Sequence, residues 1–202
     1  ISGIVERRHT LPILSNAFLK TDGKKLEFIA TDLEIQIATS IQLDDDYSSE
    51  ALTISARKTV DILRALPDKT KISLEASENR AILKSGKSKF NLQTLPSKDF
   101  PLISAKENAK LDIVKIEQNV LKDMLQKVQF SMAQQDIRYY LNGLLLVLEG
   151  RTLRLIATDG HRLAHASTQL KSSAGDRETI LPRKTVLELT KLLNDDDSMV
   201  EM

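Results

Sequence analysis

An internal repeat constrains this chain more than any other feature. Ala30-Thr31-Asp32-Leu33 returns as Ala157-Thr158-Asp159-Gly160, 127 residues later, and Thr53-Ile54-Ser55-Ala56-Arg57-Lys58-Thr59-Val60 returns as Thr179-Ile180-Leu181-Pro182-Arg183-Lys184-Thr185-Val186, 126 residues later. Each Ala-Thr-Asp follows an apolar run and a short turn: residues 11–19 with Asp22-Gly23 in the first copy, residues 141–148 with Glu149-Gly150 in the second. Collinear matches at nearly equal offsets mean two copies of one folding unit. A chain of 202 residues has room for two ordinary domains. We place them at 1–107 and 108–202, with the polar stretch 104–110 after Phe100-Pro101 as the link.

The pattern within each copy is α+β. Ile35, Ile37, Thr39 and Ile41 alternate with Glu34, Gln36, Ala38 and Ser40, the period of a strand buried on one face. Further strands are expected at 24–30, 51–54, 71–74, 81–84, 89–92, 141–148 and 153–157, with turns at 77–79 and 85–87. Residues 116–128 show helical spacing, with apolar side chains at Ile116, Val120, Leu121, Met124, Leu125 and Val128. The first copy has only Val5-Glu6-Arg7-Arg8 where that helix would end. The comparison therefore predicts a counterpart helix before Ile1 and further strands beyond Met202.

A second helix follows each Arg-Lys pair, with Ser55 as N-cap in the first copy and Pro182 at the first helical position in the second. At about 100° per residue, Val60, Ile62, Leu63 and Leu66 share one arc and Arg57, Lys58 and Arg64 lie opposite. In the second copy Val186, Leu189, Leu192 and Leu193 form the arc, opposite Arg183, Lys184 and Lys191. Basic faces of this kind are common on any solvated helix; their recurrence at matched places in both copies points to phosphate.

Composition removes several classes of function. The chain has no cysteine, so disulfides, thiolate metal sites and cysteine nucleophiles are excluded. His9, His161 and His165 are the only histidines, too few for a histidine-built metal centre, and no cofactor-binding motif is present. No stretch approaches the roughly 18 consecutive apolar residues of a membrane span, so a soluble, cytoplasmic protein is the expectation. A net charge of +1 is silent about nucleic acid, because local clustering decides phosphate binding.

Several blocks resemble the β subunit of bacterial DNA polymerase III: Arg8-His9-Thr10-Leu11-Pro12-Ile13-Leu14, Thr31-Asp32-Leu33-Glu34, Thr94-Leu95-Pro96-Ser97-Lys98-Asp99-Phe100-Pro101, Gln129-Phe130-Ser131-Met132-Ala133, Gln135-Asp136-Ile137-Arg138-Tyr139-Tyr140-Leu141-Asn142-Gly143 and Ala157-Thr158-Asp159-Gly160-His161-Arg162-Leu163. The resemblance implies repeated DNA-clamp domains, three to a subunit, with antiparallel sheets outside and two helices on the inner face of each. This chain would carry most of the first domain and the front of the second. Two subunits, as a homodimer, would close head to tail around double-stranded DNA, gripping it without regard to sequence.

The resemblance also assigns roles. Arg8, Gln135, Tyr139 and Tyr140 would touch DNA from loops, alongside Arg57, Lys58, Arg64, Arg183, Lys184 and Lys191 on the helices. If residues 139–140 begin a strand, one tyrosine faces inward and the other can stack on nucleic acid. Leu141, Thr158, Gly160, His161, Arg162 and Leu163 would form one wall of a pocket for short apolar, glutamine-containing peptides from the polymerase α subunit, the clamp loader, other polymerases and repair proteins. Thr-Asp persists in both copies and reads as structural, whereas Gly-His-Arg-Leu is confined to the second and reads as functional. A rival is a hydrolase using Asp159 and His161, without any nucleophile motif or phosphate loop beside them. A third is a scaffold whose basic faces only solvate it.

Overall fold

The computed structural model describes residues 3–5, 11–77, 80–103 and 113–202, which fall into two compact units divided between Ala105 and Lys106. Arg8, His9 and the link at 104–110 lie outside the described residues, as does part of the turn at 77–79.

In the first unit, β1 (Asn16–Thr31) is flanked by β2 (Gln36–Tyr47) and β3 (Ala51–Ser55) in antiparallel order β2-β1-β3. After α1 (Ala56–Ala65), the strands β4 (Ser73–Ser77), β5 (Arg80–Ser85) and β6 (Ser88–Gln93) form a second antiparallel sheet. Ala17, Leu19, Ile54, Ala56, Ala81, Leu83 and Leu92 make its main core. A buried polar knot ties this core together. Asn16 donates to Thr53 Oγ1 at 3.1 Å, and Thr53 exchanges hydrogen bonds with the Leu95 backbone at 2.8 and 3.0 Å.

The second unit opens with β7 (Lys115–Glu117) and α2 (Gln118–Val128). The strands β8 (Gly143–Glu149), β9 (Thr152–Thr158), β10 (Leu163–Gln169) and β11 (Arg177–Pro182) form an antiparallel sheet in the order β10-β9-β8-β11. Then come α3 (Arg183–Leu192) and β12 (Met199–Glu201), the latter paired with β7. Both helices pack on the four-stranded sheet and on each other. Between them lies one continuous core that includes Leu125, Val128, Leu144, Leu153, Leu155 and Val186. Each fully buried aliphatic side chain there contributes about 1.5–3 kcal/mol.

The two units share one design, and strand register measures the offset between them. Thr31 pairs with Gln36 as Thr158 pairs with Leu163, and Asn16 pairs with Ser55 as Gly143 pairs with Pro182. All four positions shift by 127 residues, as do the helix starts Ala56 and Arg183 and the helix C-caps Leu66 and Leu193. The sequence match at 126 is therefore one residue out of step. Arg57 corresponds to Lys184, and Arg183 stands where the first unit has buried Ala56. Core packing fixes the phase: Ile62 and Leu66 take the places of Leu189 and Leu193.

Other expectations are corrected in the same way. Pro182 is the N-cap of α3 rather than its first residue, and Ser55 sits at the N-cap of α1 without a side-chain capping bond. Ile116 belongs to β7, not to the helix. Leu63 and Leu192 are 42% and 54% exposed, outside the buried arcs drawn for them. Ile41 is half exposed, and most of β2 is exposed on both faces; among the described residues it pairs only with β1. Among the described residues the first unit has one α-helix and the second has two.

Candidate functional site

The Thr-Asp repeat builds the same corner in both units. Thr31 Oγ1 accepts the N–H of Leu33 at 3.0 Å, and Asp32 Oδ1 accepts those of Glu34 and Ile35 at 3.0 and 2.8 Å. In the second unit Thr158 Oγ1 accepts the N–H of Gly160 at 3.1 Å, and Asp159 Oδ1 accepts those of His161 and Arg162, both at 3.0 Å. The third corner residue is left-handed in each, with φ of 80° at Leu33 and 87° at Gly160. Thr158 also donates to the Arg162 carbonyl at 2.7 Å, so its hydroxyl is committed to the corner.

This arrangement leaves Asp159 unsuited to act as a base for His161. The hydrogen bond joining the two residues comes from the backbone N–H of His161, not from its ring. The backbone N–H groups of His161 and then Arg162 hold the Asp159 carboxyl below the usual carboxylate range. Its second oxygen accepts Arg162 Nε at 3.1 Å. No group of three or more metal-ligating side chains occurs among the described residues.

Beside the corner of the second unit lies a cleft of about 310 Å³, lined by Phe130, Met132, Ala133, Gln134, Asp136, Arg138, Asp159, His161, Arg162 and Arg183. Arg162 crosses its floor: Nη2 donates to the Phe130 carbonyl at 2.6 Å and the guanidinium stands 5.3 Å from the centre of the Phe130 ring. An exposed cation–π contact of this kind is worth about 0.5–1 kcal/mol. Phe130 remains 55% exposed, an apolar surface in a basic cleft.

Arg138 is a cleft residue that sequence reasoning missed. Asp136 grips it with both carboxylate oxygens, at 3.0 Å to Nε and 2.9 Å to Nη2, and accepts its backbone N–H at 2.8 Å. That grip lowers the Asp136 pKa to about 2 and raises that of Arg138. Asn142 fixes the Asp136 backbone at both ends, with bonds of 2.9 and 2.8 Å. The Arg138 guanidinium lies 3.4 Å from where a Gly160 side chain would begin, in van der Waals reach of the corner. The signal available in the sequence was the Asp-x-Arg spacing, the geometry of a local carboxylate turn.

Of the six residues assigned to a peptide pocket, His161 and Arg162 line this cleft, and Gly160 borders it through Arg138. Leu141 is 8% exposed and holds the loop backbone, with its N–H on the Arg138 carbonyl and its carbonyl accepting Ala133 N–H, both at 2.9 Å. Leu163 opens β10 and is 66% exposed. Residues 139–141 form a 3-10 turn rather than a strand start, so alternation does not apply. Tyr139 and Tyr140 are both exposed, at 81% and 50%, and pack edge to face with ring centres 5.9 Å apart. Gln135 is exposed in a left-handed conformation, φ 56°.

The basic residues of the helices divide by environment. Arg57, Lys58 and Arg64 are exposed on α1. Lys191 is exposed and paired with Glu188 at 2.7 Å. Lys184 and Arg183 are half-buried, and Arg183 Nη1 donates to the Met132 carbonyl at 3.2 Å.

Residues 1–104 match the family model of the DNA polymerase III beta subunit N-terminal domain, and residues 115–202 that of its central domain. The chain is 41% identical to the beta sliding clamp of Pseudomonas putida over all of its own length and 55% of that protein. It is 44% identical to that of Vibrio cholerae, over 96% of this chain and 52% of the relative. The crystal structure of the DNA polymerase III subunit beta from Pseudomonas aeruginosa superposes with a TM-score of 0.92 at 41% identity, covering 99% of this chain and 54% of that one. A P. aeruginosa clamp bound to griselimycin gives 0.90 at 42% identity, covering 100% and 54%. The chain spans about half the length of these relatives. Duplicated α+β units with antiparallel sheets define the fold as that of a DNA clamp. The chain belongs to the bacterial DNA polymerase III beta subunit, or beta sliding clamp, family.

Proposed function

We propose that this chain is the front half of a sliding-clamp subunit, and that the whole subunit encircles duplex DNA and tethers the replicative polymerase to it without catalysing a reaction. The domains are taken as 1–107, most of a first clamp domain, and 108–202, the front of a second; the rest of both and a third domain would complete the subunit. Two subunits close the ring as a homodimer, and DNA passes through it unread. Arg57, Lys58, Arg64, Arg183, Lys184 and Lys191 meet phosphates from the helices, while Arg8, Gln135, Tyr139 and Tyr140 meet DNA from loops. Scattered cationic contacts suit sliding, because phosphate binding is independent of sequence and each contact is individually weak.

The cleft beside Asp159 is the docking site for short peptides of the polymerase α subunit, the clamp loader, other polymerases and repair proteins. What carries this reading is one comparison within the chain. Both units build the same Thr-Asp corner, but Leu33, Glu34 and Ile35 of the first become Gly160, His161 and Arg162 in the second, beside a basic cleft with an exposed phenylalanine. Leu141, Thr158 and Leu163 support that wall. No helix among the described residues is long and apolar enough to cross a membrane.

The test uses the full-length protein loaded on nicked circular plasmid. Retention on the circle with rapid loss after linearisation is the expected result; equal retention on both forms would reject topological binding. In parallel, His161→Ala should weaken capture of a labelled glutamine-containing apolar peptide, with no hydrolytic turnover in either protein. A wild-type turnover that disappears in His161→Ala would instead establish the hydrolase.

A further inference from the structure

The segment 134–137 borders the docking cleft and has little of its own to shape it. Gln134, Gln135 and Ile137 are exposed, Ile137 at 97%, and Asp136 is half-buried, so no apolar side chain anchors the segment in the core. It belongs to no helix or strand, and Gln135 holds a left-handed φ of 56°, which an L-residue keeps only where its surroundings impose it. The flanks are tied down, since Ala133 N–H donates to the Leu141 carbonyl and Leu141 N–H to the Arg138 carbonyl, both at 2.9 Å. Between those flanks, among the described residues, the backbone makes two hydrogen bonds, both at Asp136 and both to the Asn142 side chain. Asn142 Oδ1 accepts the Asp136 N–H at 2.9 Å, and Nδ2 donates to the Asp136 carbonyl at 2.8 Å. Asn142 is itself fixed: its N–H donates to the Tyr139 carbonyl at 3.0 Å, and its carbonyl accepts the N–H of Arg183 at 2.9 Å. It sits between buried Leu141 and buried Gly143, where a side chain would begin 2.4 Å from the Leu181 carbonyl oxygen, so the backbone here lies flush against β11.

We propose that Asn142 is a positioning residue for peptide docking: by clamping the Asp136 backbone to the start of β8, it aims the Arg138 side chain at the cleft before peptide arrives. The inference rests on the docking reading above. An asparagine suits the task because its amide offers one acceptor and one donor, matching the N–H and the carbonyl of a single residue. Asp136 grips Arg138 at Nε and Nη2 through a local turn, so the two residues move as one body. That grip sets the direction of the guanidinium relative to Asp136, and Asn142 sets Asp136 relative to the sheet. Arg138 Nη1 takes no hydrogen bond among the described residues, which leaves it to meet a carbonyl oxygen of the docked peptide. A guanidinium placed in advance loses less freedom on docking than a loose one. Without Asn142 the Asp136–Arg138 pair still forms but is no longer placed, and peptide must order the segment 134–137 as it binds.

The experiment uses full-length protein and a fluorescein-labelled apolar hexapeptide containing one glutamine. Asn142→Ala should bind the peptide about fivefold more weakly than wild type, and so should Arg138→Gln. In the double variant the loss should stay near about fivefold, because both changes remove the same placed guanidinium. Wild-type affinity in either single variant overturns the proposal. So does a double-variant loss of about 25-fold, the product of two independent effects, which would mean that Asn142 acts by another route. Hydrogen exchange in wild type gives an independent reading that needs no variant to fold. The Asp136 N–H is bonded to Asn142, so its exchange reports opening of the clamp. If docking needs the clamp closed, saturating peptide must slow that exchange by the same factor, about fivefold. Unchanged exchange overturns the proposal. Wild-type protein that does not bind the peptide defeats the docking reading instead.

Discussion

Leu33 and Gly160 occupy the same left-handed place in two copies of one corner, at φ 80° and 87°. A leucine can stand there, but an L-residue in this conformation costs about 1–2 kcal/mol. Gly160→Ala therefore carries that strain, and its new methyl group meets the Arg138 guanidinium at 3.4 Å. We expect a fall in melting temperature of roughly 2–8 °C, with weakened peptide docking because the strained corner carries His161 and Arg162 into the cleft. Gly150→Ala, also left-handed but with open space around it, should show a fall of similar size and no docking defect. Thermal melts and peptide titrations of the two variants decide this, and equal docking by both would mean that the corner does not shape the docking site.

Adjacent leucines at the end of α3 should respond very differently to truncation. Leu193 is 5% exposed in the main core and Leu192 is 54% exposed. Leu193→Ala should cost about 2–5 kcal/mol, and Leu192→Ala less than about 1 kcal/mol. Urea unfolding measures both. A larger loss at Leu192 would mean the helix is rotated from the phase described.

The Asp136 carboxyl, held by Arg138, should titrate near pH 2 instead of its ordinary 3.8. A depressed carboxylate contributes stability that is complete above the unfolded value and is lost as pH falls through the folded one. The contribution of this pair should thus be constant above pH ~5 and vanish between pH ~4 and ~2. Carboxyl carbon shifts followed against pH report the midpoint directly. In Arg138→Gln it should return toward 3.8; an ordinary midpoint in the wild type would refute the grip.

Salt dependence tests the exposed cations of α1. Replacing Arg57 with Gln in the full-length ring should reduce the slope of log affinity for duplex against log salt by about 0.9, with no dependence on DNA sequence. An unchanged slope would place Arg57 on an ordinary solvated face.

Much of the fold could be read directly from the chain because it is local. Period-2 alternation marked β2, apolar spacing marked α2, and Glu149-Gly150 marked a turn whose glycine has φ of 56°; Asp22-Gly23, expected as a turn, lies inside β1, where Gly23 at φ 60° accompanies a shift in the pairing with β2. The strand β10 escaped notice because its half-buried face carries only Ala164, Ala166 and Thr168, and β11 because most of it is exposed on both faces. The sequence repeat was found one residue out of step at Arg57 and Arg183, since matching letters carry no information about which leucines enter the core.

By itself, then, the sequence determined that one α+β unit occurs twice and that Gly-His-Arg distinguishes the second copy. Only the tertiary structure decided what those residues touch. Arg162 meets Phe130, Arg183 meets Met132, and Arg138 fills the space beside Gly160, the first two across 32 and 51 residues of chain. Periodicity and turn chemistry act between near neighbours and leave their mark on composition. Contacts between distant residues depend on how strands register and how helices are phased on the sheet, which is settled when the whole core packs.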